Sequence, residues 1–286
     1  MNPLSPSSAL STSASGASHW RKYRTVALIS WQDSLVYRFN ALTWVAYALL
    51  PALAFILVWL ARYEAAPGQK IGGFDLGQMI AYYLLVTLLS VAITPHPEWW
   101  VSQEIRDGKI TPFIVRPIGF WGYLLARESA YQVVKTAMSL PAFVLVAFLF
   151  RHQISWPALT IPRLILFAIS SLGAYLLLMQ IKYLLALSAF WLGEVGGLLE
   201  IWNILLAVFA GRLLPLSLLP GWVQAPGAWL PFHLLYDFPM RLLLQRIEMR
   251  EAAQDFALQM VWAAILGILV RVAWRRGLLA YEAYGG

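Results

Sequence analysis

The 286 residues include no cysteine. That excludes a disulfide framework, a thiolate nucleophile and a thiolate metal site. Charge is also scarce, with Asp, Glu, Lys and Arg making only 12% of the chain. No G-x-x-x-x-G-K-[ST] occurs, so the chain has no loop of its own for cradling ATP phosphates. H-E-x-x-H and G-x-S-x-G are absent too, which removes the usual protease and hydrolase signatures. The four histidines, at 19, 96, 152 and 233, are isolated and lack metal-ligand spacing. Each reads as structural or solvated.

What the chain has is oil. Hydrophobic residues make 60% of it, and 14 are Trp; the mean hydropathy is +0.65. Apolar runs of about 18 or more residues read as membrane spans, because about 20 helical residues cross a roughly 30 Å hydrocarbon layer. Such runs fall at 41–61 (with Pro51 inside), 76–94, 123–150, 164–191, 198–219 and 256–274. The expectation is an all-α integral membrane protein with six spans. The formal charge of +7 then reflects basic loops facing anionic lipid, with no nucleic-acid partner implied. The Trp and Tyr residues read mostly as belt anchors at the membrane surface.

Residues 1–19 read as a disordered tail. The first eighteen are Ser- and Ala-rich, without a charged side chain and without the basic head and apolar core of a secretory signal. Residues 20–40 place Val26, Ile29, Leu35, Val36 and Phe39 among Arg21, Lys22, Arg24, Gln32 and Arg38. That pattern suggests an amphipathic helix lying in the interface, or a plain extension of the first span. Residues 220–250 are apolar but broken by Pro220, Pro226, Pro231 and Pro239. A straight span is not expected there. A re-entrant or interface-lying pair of short helices fits better.

Loop charges set orientation. Arg21, Lys22, Arg24, Arg38, Arg106, Lys109, Arg116, Arg127, Lys182, Arg271, Arg275 and Arg276 are expected on one side, and Arg62, Lys70, Arg151, Arg163, Arg212, Arg241, Arg246 and Arg250 on the other. Twelve against eight places both termini in the cytoplasm. The stretch EIRDGKITPFIVRPI at 104–118 is then cytoplasmic as well. Residues 98–107 form a helix stopped by Gly108 as a left-handed cap. Thr111 and Pro112 restart it, and Pro117 disfavours helix at Arg116. Two short helices with a charged elbow, tied to spans at both ends, can pass force from a soluble partner to the membrane. An ordinary solvated loop is the other reading of the same residues.

The chain resembles the permease subunit of an ABC-2 type exporter, within the single-domain, six-span group that includes viologen- and daunorubicin-type efflux permeases. The matching stretches are IGGFDLGQMIAYYLL at 71–85, EIRDGKITPFIVRPI at 104–118, LSAFWLGEVGGLL at 187–199, LLPLSLLPGWVQ and LPF within 213–232, and the ending RRGLLAYEAYGG. They cover most of 20–286, and 41–286 is the permease domain the resemblance outlines. It implies a multi-pass protein of a bacterial plasma (inner) membrane, paired with an identical or paralogous second permease. It also implies a separate ABC-type ATPase subunit that binds ATP and Mg, with no cofactor in this chain. Segment 98–118 would be the coupling helix, with Glu104, Ile105, Arg106, Asp107 and Lys109 at the ATPase contact and Phe113 and Ile114 filling a groove. Residues 220–250 would be the family's external proline-rich element. Neither the transported substrate nor a role for the tail can be read from the residues.

Three further features stand apart from the coupling segment. Gly193 and Gly197 form a GxxxG, which suits generic helix packing or a dimer seam. Glu194 and Glu200 lie near a span end, where an acid is usually wet and only at depth marks a polar site. Lys135 falls inside a span, so it must snorkel, pair or face a cavity. Besides the exporter permease, the spans alone allow a secondary transporter driven by an ion gradient, or a membrane enzyme or scaffold. A secondary transporter usually carries intramembrane acids and internal repeats. No repeat is evident here.

Overall fold

The computed structural model describes residues 13–36, 38–114, 119–227 and 229–282. Among these the chain is helical, with one isolated bridge between Ile71 and Phe74. The helices are α1 (Ser13–Val36), α2 (Arg38–Glu64), α3 (Leu76–Ile93), α4 (Pro97–Arg106), α5 (Thr111–Ile114), α6 (Phe120–Leu149), α7 (Ile161–Leu187), α8 (Gly196–Phe209), α9 (Gly221–Gly227), α10 (Asp237–Leu243) and α11 (Met249–Glu282). Five segments are long and apolar enough to cross a bilayer: Val45–Glu64, Leu76–Arg106, Phe120–Leu149, Ile161–Phe190 and Met249–Tyr281. Their outward residues, among them Leu57, Val58, Val144, Leu145, Ile169 and Ile268, stay exposed. That is expected where lipid is the solvent.

Local chemistry explains the breaks. Asp75 accepts the Gln78 backbone N–H at 2.8 Å, and the Gln78 side chain accepts the Asp75 N–H at 3.2 Å, a capping box that starts α3. Pro95 then disfavours helix at Thr94, whose φ of −94° and ψ of 100° are extended. Pro97 opens α4 at its first turn. The expected span 76–94 is therefore the first part of a longer, interrupted rod reaching Arg106.

The expected fifth span, 198–219, holds one short helix followed by irregular chain. Helix α8 has 14 residues, about 21 Å at 1.5 Å per residue, which is less than a roughly 30 Å hydrocarbon layer. It gives way at Gly211, where φ is +83°. Tyr82 donates to the Gly211 carbonyl, and the Asp237 N–H donates to the Ala210 carbonyl at 3.1 Å. A Cβ at Gly211 would meet Asp237 Cβ at 3.1 Å. The close approach and the left-handed backbone both call for glycine there.

The stretch 220–250 makes two short helices instead of a span. Tyr236 reaches Thr94 Oγ1 at 2.5 Å, and Arg246 donates to the Gly73 carbonyl at 2.9 Å. The element thus dips into the bundle and returns to the end it came from. Helix α1 begins at Ser13, inside the stretch expected to be a tail. It packs on α6, with Ser30 donating to the Arg127 carbonyl at 2.9 Å. Trp20, Leu28, Ile29, Leu35 and Val36 remain exposed on it.

Candidate coupling surface and buried polar cluster

The elbow between α4 and α5 sits at the bundle end where the chain's last described residues also lie. Gly108 has φ +72° and closes α4, with the Lys109 N–H donating to the Glu104 carbonyl at 2.9 Å. Inward-facing residues anchor it. Ile105 and Ile110 are buried in a cluster with Val101, Leu124, Tyr183 and Phe190. Phe113 packs edge-on against Phe120 with centroids 5.4 Å apart, and lies 5.1 Å from the Tyr123 ring. Phe120 stacks in turn on Trp274 of α11. Tyr281 donates to the Gly108 carbonyl at 2.7 Å and lies 3.1 Å from Thr111 Oγ1.

The outward face is charged. Arg106 pairs with Glu194 at 3.0 Å, and Lys109 pairs with Asp107 at 2.8 Å. The Lys109 hydrogen bond holds the Asp107 carboxyl below its usual range, and Asp107 raises Lys109 in return. Glu194 is lowered first by the Gly196 backbone N–H and then by Arg106. Of the residues expected at an ATPase contact, Arg106, Asp107 and Lys109 are exposed and Glu104 is half-buried. Ile105 and the Phe113 ring serve this chain's own platform instead. The Ile114 side chain and residues 115–118, including Arg116 and Pro117, lie outside the described residues.

The other sequence candidates scatter. A Cβ at Gly193 or Gly197 would meet nothing within 4 Å, so the GxxxG seats no helix among the described residues. Glu194 is 77% exposed and Glu200 is exposed on α8, so neither joins Lys135. His152 is exposed, while buried His233 donates from Nδ1 to the Gly227 carbonyl at 2.9 Å.

Lys135 belongs to a cluster that the sequence reading missed. At the break between α3 and α4, Glu98 and Lys182 form an ion pair at 2.5 Å with side chains 3% and 1% exposed. His96 Nδ1 lies 3.3 Å from both. Glu128 of α6 accepts the Trp100 indole N–H at 3.0 Å and the His96 backbone N–H at 3.2 Å. Lys135, also on α6, donates to the Thr94 carbonyl at 3.1 Å. Gln132 is buried beside them on α6. Three helices therefore supply four buried ionisable side chains to one hinge. Lys182, expected as a loop charge, is instead buried inside α7. Its signal in the sequence was weak. Only an i, i+4 spacing from Gln132 to Thr136, or a bare charge within an apolar run, was available to hint at a polar interior, and neither names a partner 84 residues away.

No curated protein and no solved structure matches the chain. The family described as ABC-2 family transporter protein matches residues 49–285, which takes in the elbow, the cluster, four of the long apolar segments and all but the first four residues of Val45–Glu64. The chain belongs to the ABC-2 transporter family and is a membrane permease of that kind.

Proposed function

We propose that this permease is the membrane subunit of an ATP-driven exporter in a bacterial plasma membrane, acting as a dimer with a second permease. The chain crosses six times, with α8 and the irregular 210–219 making the fifth crossing and both termini in the cytoplasm. The partner ATPase supplies ATP and Mg chemistry and docks on the outward face of 104–114. One observation carries this reading: an exposed charged elbow is fastened to a buried aromatic platform, with Tyr281 clamping Gly108 and Thr111. A solvated loop would not need such support. The fastening makes the elbow a rigid extension of α4, and α4 leads directly to the buried cluster. Glu98 and Glu128 are intramembrane acids, which favours ion-gradient coupling as the second reading.

Charge inversion tests the docking. Asp107→Lys together with Lys109→Glu leaves Ile105, Ile110 and Phe113 in place, so the fold is retained. Co-purification of the ABC ATPase and stimulation of its ATP hydrolysis should both fall, because rim charges set encounter and register. Wild-type behaviour in both assays rejects the elbow as the docking surface. Activity in vesicles that follows a pH gradient and ignores ATP selects the ion-coupled reading.

A further inference from the structure

A cavity of about 250 Å³ lies between α2, α3, α6 and the α8 end, directly above the hinge. Its polar lining includes Lys135, Arg212, His96 and Thr94, and no carboxylate is among its lining residues. Its other wall is apolar, with Val45, Ala48 and Phe55.

The charges around it do not balance locally. Glu98 is engaged by Lys182, and Glu128 by Trp100 and the His96 backbone. Among the described residues no carboxylate lies within ion-pair distance of Lys135, which is 4% exposed; it donates to the Thr94 carbonyl, lies 5.7 Å from the Tyr131 ring, and meets Glu128 and Glu98 only through longer-range attraction. Arg212 makes no hydrogen bond or ion pair with the described residues. It lies between Gly211 and Leu213, whose carbonyls are held by Tyr82 and Tyr83 of α3. Lys135, buried inside a helix long and apolar enough to span, is costly there unless an anion meets it, and Arg212 opens on the same cavity. The pocket is smaller than the ~300–1,000 Å³ usual for whole drug-sized ligands, so it suits a head group. On its lipid side, Tyr47 and Leu50 of α2 and Ile201 and Ile204 of α8 are exposed.

We infer that this cavity binds the anionic head group of an amphiphile, a phosphate or carboxylate held between Lys135 and Arg212, with the tail leaving between α2 and α8 into lipid. The ligand is an acidic amphiphile from the membrane phase, either a resident lipid or an exported solute. The site deepens the permease reading and takes its purpose from it. Its test contains no ATPase, so failed binding and failed coupling are separate results.

The full chain is placed in phosphatidylcholine nanodiscs and photolabelled with diazirine-bearing dodecyl phosphate, dodecyltrimethylammonium or dodecanol. Dodecyl phosphate should label peptides containing Val45, Ala48 or Ala207 saturably, and the trimethylammonium compound should not. Lys135→Met and Arg212→Gln should each raise the half-saturating concentration of dodecyl phosphate about 10- to 100-fold, the loss of one charge-assisted hydrogen bond. Arg212 is exposed and makes no hydrogen bond or ion pair with the described residues, so its variant reports binding even if Lys135→Met folds poorly. Equal labelling by the phosphate and the trimethylammonium probe overturns the site. So does half-saturation within twofold of wild type in both variants. Loss of labelling in phosphatidylglycerol nanodiscs identifies a resident lipid as the ligand, and persistence identifies a solute; both outcomes retain the anion site.

Discussion

Replacing Lys182 with Met removes one partner of the most deeply buried ion pair among the described residues. The two side chains meet at 2.5 Å and are 1% and 3% exposed, so solvent does little to screen the pair. Breaking a pair of that kind costs about 3–5 kcal/mol, because the remaining charge stays buried without its counter-ion. Glu98 is badly placed to tolerate this, since its Oε2 already has no hydrogen-bond partner. Replacing both partners by apolar groups of similar size is often neutral or stabilising. The expected pattern is therefore asymmetric. Lys182→Met should lower the thermal midpoint by about 6–20 °C, taking about 2–4 °C per kcal/mol for chains of around this size. Lys182→Met with Glu98→Leu should recover most of that loss. The assay is thermal unfolding of the purified chain in neutral detergent, followed by size-exclusion recovery, with the four proteins forming a double-mutant cycle. A drop below about 2 °C for Lys182→Met, or additive losses in the double variant, refutes the buried pair as the lock at this hinge.

Other substitutions probe the platform and the path of the chain. Gly277→Ala puts a Cβ 2.2 Å from the Phe190 ring and should cost about 1–3 kcal/mol by overpacking, whereas Gly193→Ala, with nothing within 4 Å, should leave the thermal midpoint unchanged. Tyr281→Phe removes the donor to Gly108 and should raise amide exchange across 107–111 without moving the global midpoint by more than a few degrees; unchanged exchange there would show that the clamp is idle. In this cysteine-free chain, single cysteines at Gln69, Gln224 and Gln245 should all react with an impermeant thiol reagent from outside, and one at Lys109 should not. Labelling of Gln224 and Gln245 from opposite sides would add a crossing and reverse the carboxy-terminal side.

Hydropathy made the membrane helices legible because a span is a one-dimensional property, a run of apolar side chains. The elbow was legible for the same reason. Gly108 and the Thr111 and Pro112 pair act on their own backbone, and φ at Gly108 is +72°. The short α8 was not legible. Residues 198–219 are apolar enough for a span, and what ends the helix is a tertiary event, the approach of Tyr82 and Asp237 to Gly211. Phe113 was expected to face a partner. Half-buried, it packs against this chain's own aromatic platform, because Phe120 and Tyr123 begin the next helix within reach. The polar cluster was hidden most completely. Glu98 opens the short helix expected at 98–107 outside the spans, and Lys182 resembles a loop charge, yet helices 84 residues apart in sequence bring them together.

The cluster and the elbow are two ends of one short rod. Helix α4 has ten residues, about 15 Å at 1.5 Å per residue. Its far end carries Arg106 and Asp107 into the exposed face, and its near end carries Glu98 into the pair with Lys182. Val101 and Ile105 are buried between these ends, so α4 cannot flex within itself without opening packed contacts. Under the proposed coupling, a push on the elbow would be delivered to the break at 94–96, where Pro95 and Pro97 interrupt regular helical bonding. His96 and Thr94, which line the cavity, sit in that break. A buried ion pair at such a point is a costly way to gain stability, since well-packed apolar residues serve as well. It does provide two discrete arrangements, made or broken, which is what transmission between separate sites requires. Under the proposed coupling, a displacement that strains the pair of Glu98 and Lys182 would also move the Thr94 carbonyl that holds Lys135, and so change the charge presented to the cavity.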